Sequence, residues 1–385
     1  MPYTFPVRRR TLLHHAAAWG GVAFLGGTRV LAETLLLQAC GDGAPGDLVG
    51  VVPLHGDTAR RTPFGAIVGG SGLDARRFTD LSRLDADHLR TPTREMFLRT
   101  SVPPAVQGRS AWPLPVDRLQ RDARPLGPHL IECSGNSDPD NFGLISVAEW
   151  HGVPLADVVS ALPAAEGRSA GVFVGGVDYP ESSRSSAAGA SWVFSLDDIR
   201  RTGAFLATHL NGEPLLPDHG APLRLVVPGW YGCSWIKWVD DIRRVGADEP
   251  VTPQMIEFSL RTHQPVIPKR ALEYEAPAID LAATPIRVEK RRVNGSLEYR
   301  IVGIVWGGDR PVDRLMIRFR AGDAPIAFTL CPAPTTHRTW SLWQYRWRPT
   351  EPGVYSIALT AADPSIRTRR LDISYYVRRV VIDEV

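Results

Sequence analysis

The sequence predicts an α+β protein in two parts, a mixed α/β region followed by an all-β, immunoglobulin-like sandwich, and three observations carry that expectation. Glycine (35) and proline (33) punctuate the 385 residues too often for a helical bundle. Between residues 96 and 265, short apolar runs alternate with short helical patterns, without a regular βαβ beat. Near Pro285 the texture changes to strands alone: Pro285–Val293 alternates, Asn294-Gly295 is a two-residue hairpin turn, and Leu297–Trp306 alternates again.

Taken in order, residues 1–32 read as an export signal. Arg8-Arg9-Arg10 precede the apolar run Ala16–Thr28, which is too short to span a bilayer as a helix. The pair Arg9-Arg10, one spacer and two leucines resembles a twin-arginine signal, which implies export to the periplasm. Residues 33–275 form the expected first domain. Its strand candidates are His129–Glu132, Gly171–Val174, Leu223–Val227 and Trp235–Val239; its helix candidates are Val153–Leu162 and Leu196–Leu206. Pro265–Pro285 is the expected linker. Residues 285–385 form the expected sandwich, with Arg314–Arg320, Trp340–Trp347, Val354–Thr360 and Arg370–Val377 as further strands.

Composition excludes several functions. Hydrophobic residues make up 44%, enough for full cores. Net charge is +3, and residues 1–32 hold four arginines and no acid, so the body is close to neutral. It has no basic stripe for a nucleic acid. There is no CxxC among the four cysteines, and no HExxH among the ten histidines. Gly41–Gly46 fits GxGxxG but does not open a helix, and Gly167–Gly171 fits GxSxG with helix and strand in reversed order, so both matches are rejected.

The chemistry concentrates elsewhere. Cys133 follows a strand directly and precedes Ser134-Gly135-Asn136, a placement that suits a soft-metal ligand or a nucleophile, or simply a small buried residue. Cys133–Asn136, then Gly143-Leu144-Ile145-Ser146 and Glu149–Leu155, resemble the molybdenum segment of the sulfite oxidase family. Three more segments are similar to that family in order. Phe97-Leu98-Arg99-Thr100 matches its Phe-x-x-Arg-Asn-His stretch with the arginine displaced by one position. His219-Gly220-Ala221-Pro222-Leu223-Arg224 matches its His-Gly-x-Pro-x-Arg. Ser234-Trp235-Ile236-Lys237-Trp238 is close to its Ser-x-x-Lys-Trp.

The resemblance implies a molybdopterin-binding catalytic domain over 33–275 and a dimerising sandwich over 285–385. It implies Mo-molybdopterin as cofactor, with Cys133 ligating the metal. Phe97, Arg99, Thr100, Asp178, His219, Arg224, Ser234 and Lys237 would bind the cofactor, the basic ones suiting its phosphate tail. Arg99 would also orient the substrate at the metal. The implied activity is oxygen-atom transfer, with sulfite or a related sulfur compound as first candidate substrate. Electrons would pass to a separate carrier such as a cytochrome c, since no haem signature is present. The nearest branch is the bacterial sulfite and sulfane dehydrogenases. Two alternatives stand: a sulfoxide or N-oxide reductase, and a non-catalytic binding protein with a vestigial site. Two departures bear on the substrate. Sulfite oxidases follow Cys-x-Gly-Asn with arginine, whereas Ser137-Asp138-Pro139-Asp140 stands here. Their catalytic tyrosine has no match, and the comparable stretch is Phe258-Ser259-Leu260-Arg261.

Overall fold

The computed structural model describes residues 46–55, 67–69, 74–103, 105–138, 141–163, 169–177, 190–373 and 375–385. Residues 1–32 and Asp178 therefore lie outside the described residues. Among those described, strands dominate and helices are short, as the glycine and proline content requires.

The first domain is built on two main sheets, beside a small third sheet of Val68–Gly69, Asp74–Arg77 and Leu98–Thr100 that carries Arg99. One orders strands Glu213–Pro214, Phe205–Leu210, Ile145–Pro154 and Arg124–Glu132 side by side, with Arg224–Val226 also pairing Phe205–Leu210. The other orders Val239–Val245, Gly171–Gly176 and Ser191–Ser195. All of these pairings are antiparallel, which accounts for the missing βαβ beat. Their facing surfaces share one apolar core that includes Trp150, Trp192, Phe194 and Trp235.

The helices are shorter than the periodicity suggests. Leu196–Thr202 starts at Ser195, whose hydroxyl accepts from Asp198 N, and stops at Gly203, which adopts a left-handed φ of 67°. Leu155–Ser160 begins only after Val153 and Pro154, which complete the preceding strand. Trp235–Val239, expected as a strand, is a turn; Trp238 has φ +52°, and the strand begins at Val239.

The second domain is a sandwich of two four-stranded sheets. One orders Asp47–Pro53, Ala282–Val293, Ser296–Trp306 and Ser341–Trp347; the other orders Ile326–Thr329, Arg314–Arg318, Gly353–Ala361 and Arg378–Ile382. Asn294-Gly295 forms the hairpin turn, both with positive φ. Two expectations change here. Residues 47–53, expected in the first domain, add an edge strand to the second, pairing antiparallel with Ala282–Val293. The expected strand Arg370–Val377 is not one: its described residues, 370–373 and 375–377, form turns, because their side chains serve the domain boundary, where Tyr375 stacks on Phe142 and Tyr376 tilts against it.

The boundary is a true core. Leu130, Phe142, Ile145, Val147 and Tyr231 of the first domain belong to the same apolar cluster as Trp306, Trp340 and Trp343 of the second. Leu130 N also donates to Arg338 O across it at 2.8 Å. Strand alternation then places the site. Along Arg124–Glu132, Leu130 joins the second domain's cluster, while Ile131 and, beyond the strand, Cys133 join that of the first.

Candidate active site

Cys133 sits where the Arg124–Glu132 strand ends. Its N–H donates to Leu144 O at 3.0 Å and its carbonyl accepts from Asn136 N at 2.9 Å, which closes a tight turn. The Asn136 side chain braces both sides of that turn, accepting from Leu144 N at 3.1 Å and donating to Glu132 at 3.3 Å. Gly135 N lies 3.4 Å from the Cys133 sulfur. Burial raises the thiol's pKa; the Gly135 N–H and the nearby Arg99 and Arg261 act against that rise. A soft metal, which binds the thiolate, would supply the missing compensation.

Two cavities meet at this sulfur. Phe97, Thr100, His219, Arg224, Lys237 and Trp238 line the first, an apolar pocket with a basic floor. The second is a cleft of about 780 Å³ between the domains, lined by residues including Arg76, Arg261, Arg367 and Arg370. Among the described residues, Cys133 and Arg99 alone line both.

In the first pocket, Arg224 is 6% exposed, has no carboxylate partner among the described residues, and keeps a buried Nε without a hydrogen bond. Its Nη1 donates to His219 O at 3.1 Å. The guanidinium carbon lies 5.7 Å from the Trp150 ring and 6.0 Å from the Trp235 ring. Burial lowers its pKa to about 9. A buried cation in that condition is a site for an anion. Lys237 donates to Thr100 O at 2.7 Å and to Asp218 O at 3.0 Å, with its ammonium 4.2 Å from the Trp238 ring. His219 Nε2 donates to Thr93 O at 3.1 Å and lies 3.3 Å from Arg77 Nη2. Burial, with Arg224, Lys237 and Arg77 nearby, lowers its pKa to about 4 despite the opposing Asp218, so it is neutral at pH 7. Gly220 takes φ +107° to pass between Lys237 and Arg224; a Cβ there would come 3.1 Å from one and 3.2 Å from the other.

The structure thus gathers Phe97, Arg99, Thr100, Cys133, His219, Arg224 and Lys237 around one space. Ser234 is not among them: it is fully buried and donates to Tyr231 O at 2.9 Å inside its own turn. Asp138, which stands near the position of an expected arginine, does not line the cleft, and its carboxylate accepts from Asn141 N at 3.3 Å. Asp140 lies outside the described residues. Sequence reasoning missed the arginines of the second domain. Arg367, Arg369 and Arg370 carry no local motif, and the segment that holds them lines the cleft just before and at the start of the expected strand.

This donor set fits a molybdenum pterin: a thiol at the mouth, a pocket walled by aromatic rings, and a buried unpaired guanidinium at its floor. Comparisons with known proteins agree. Residues 109–252 match the family model described as the oxidoreductase molybdopterin binding domain. An NADPH nitrate reductase of Fusarium oxysporum is 35% identical over 88 residues, 23% of this chain and 9% of the relative. Mitochondrial sulfite oxidase of Drosophila melanogaster is 25% identical over 170 residues, 38% of this chain and 29% of the relative. The chain therefore matches less than a third of the length of these curated relatives. The crystal structure of the sulfane dehydrogenase SoxCD from Paracoccus pantotrophus shares the fold, with a TM-score of 0.54 at 18% identity, over 85% of this chain and 87% of that one. On these motifs and this match, residues 109–252 form a molybdopterin-binding oxidoreductase domain of the sulfite oxidase-like type, and the chain shares its fold with a sulfane dehydrogenase.

Proposed function

We propose that the protein is a molybdopterin-dependent oxidoreductase that transfers an oxygen atom to a small sulfur oxyanion, sulfite or a related compound. The observation that carries this reading is the junction at Cys133, where a pocket fit for the pterin opens into an arginine-lined cleft. When bound, the cofactor would supply the two-electron chemistry. The chain's own residues do the rest. Cys133 would hold the metal, Arg224, Lys237 and His219 would hold the pterin and its phosphate, and Phe97 and Thr100 wall the pocket. Arg99 reaches both spaces and is oriented by an ion pair to Asp74, so it suits an anionic substrate facing the metal.

The same reading includes a separate electron carrier such as a cytochrome c, a homodimer through the sandwich, and export to the periplasm by a twin-arginine signal. No helix among the described residues is long and apolar enough to cross a membrane. Elemental and pterin analysis of the purified protein tests the core of the proposal. Near-stoichiometric molybdenum is expected, together with sulfite-dependent reduction of a cytochrome c. Cys133→Ser should lose both metal and turnover while keeping the fold. A wild-type protein that carries neither molybdenum nor pterin, or a Cys133→Ser variant with full activity, overturns it.

A further inference from the structure

We infer that Arg261 is the substrate-binding residue that anchors the oxyanion at Cys133, taking over from the opposite wall the role that an arginine after Cys-x-Gly-Asn would play. This rests on the proposed reading of the site and names how its anionic substrate is held. The loop after Cys133 carries no arginine; it continues Ser137, Asp138. The positive charge comes instead from the turn after the short helix Pro253–Glu257. A Cβ built on Gly135 would lie 3.3 Å from Arg261 Nη1 and 3.8 Å from Cys133 Sγ. The guanidinium and the sulfur therefore flank the same point, and Gly135 leaves that point open.

Arg261 stands apart by its charge. Of the arginines lining the cleft, Arg76 and Arg99 pair with Asp74, Arg367 with Asp280, Arg369 with Glu132, and Arg370 with Asp372. Arg261 is exposed on the cleft wall and has no carboxylate partner among the described residues; its guanidinium carbon lies 5.5 Å from the Phe258 ring. An unpaired, forked donor beside a metal-ligating sulfur, with the cleft open in front of it, matches the geometry of a tetrahedral or pyramidal oxyanion. A tyrosine at this place would offer one donor and no fixed charge. Arg261 offers a permanent charge, so the site is committed to anions across the whole working pH range.

Sulfate, a non-oxidisable oxyanion, is the probe. The full chain loaded with molybdenum and pterin is titrated by calorimetry at constant ionic strength, as wild type, Arg261→Gln, Arg261→Lys and the surface control Arg310→Gln. The expected result is one sulfate per wild-type chain, affinity at least tenfold weaker in Arg261→Gln, an intermediate loss in Arg261→Lys, no change in the control, and equal cofactor content throughout. In turnover, Arg261→Gln should raise KM for sulfite far more than it lowers kcat. Wild-type protein that binds no sulfate, or an Arg261→Gln variant that binds it as the wild type does, overturns the inference. Arg261-dependent sulfate binding without oxidation of any sulfur oxyanion would leave the anchor standing and sink the proposed reaction. Sulfite oxidation with an unchanged KM in Arg261→Gln would do the reverse.

Discussion

The carboxylate of Glu132 is gripped at both oxygens by Arg369, 237 residues away, with Nη1 donating to Oε1 at 2.6 Å and Nη2 to Oε2 at 2.7 Å. Trp306 Nε1 also donates to Oε2 at 2.8 Å, and Arg369 Nη1 donates to the Tyr376 hydroxyl at 2.8 Å. Glu132 is fully buried and immediately precedes Cys133, so the second domain fixes the strand end that presents the thiol. Burial alone would lower the Arg369 pKa; Glu132 raises it well above the ordinary value.

Removing one partner strands the other charge in the core. Arg369→Gln should therefore cost about 3–5 kcal/mol in chemical denaturation, and the double variant Glu132→Gln/Arg369→Gln should recover part of that loss. Molybdenum content should fall in the single variant, because the turn carrying Cys133 loses its support. A single-variant loss below about 1 kcal/mol would show that the apolar boundary holds the domains without the pair.

Three buried histidines should make the protein acid-sensitive. His129 is neutral in the fold: burial lowers its pKa from 6.5 to about 4, with the Leu126 carbonyl opposing and Arg338 assisting. Its ring packs 5.7 Å from Phe205, away from the candidate site. His219 is lowered to about 4 and His55 well below its ordinary value. A base whose folded pKa is depressed contributes full stability above its unfolded pKa. That stability is lost as pH falls from about 6.5 towards 4, since the unfolded chain binds the proton first. For His129 the loss is roughly 3 kcal/mol over that window. Denaturant midpoints should fall steeply below pH 6.5 in the wild type, and His129→Phe should flatten part of that limb. Identical pH dependence in the two proteins would refute the assignment.

What was legible in the sequence was whatever lies close along the chain. Cys133 with its Gly-Asn turn, His219 with Arg224, and Lys237 beside Trp238 are local patterns, and the fold brings these to one pocket. Ser234 matched a pattern, yet its hydroxyl serves its own turn. Arg261 was visible only as the residue occupying a stretch where a tyrosine was expected. Arg369 and Glu132 were silent, because their meaning is a contact between domains. The Asp47–Pro53 strand was missed for the same reason: an edge strand whose partner, Ala282–Val293, lies far downstream leaves no local signal of that partner.

The role of Arg224 in holding a cofactor can be separated from any role in folding by the sign of a stability change. A structural arginine that is removed lowers stability. Arg224 is a buried cation whose pKa burial depresses to about 9, and no carboxylate among the described residues offsets that cost. Its charged form is therefore disfavoured in the cofactor-free fold by a few kcal/mol. Arg224→Met keeps an unbranched apolar stem between Trp150 and Trp235 and deletes the charge. Cofactor-free Arg224→Met should melt at a higher temperature than cofactor-free wild type, while its pterin retention drops at least tenfold. Differential scanning calorimetry of both apo-proteins, with pterin fluorescence of the matured ones, reads the two effects. A lower melting temperature in the variant would mean that Arg224 supports the fold and that its unsatisfied Nε is incidental. The opposite signs expected here are the signature of a charge installed for a ligand at the expense of the empty protein.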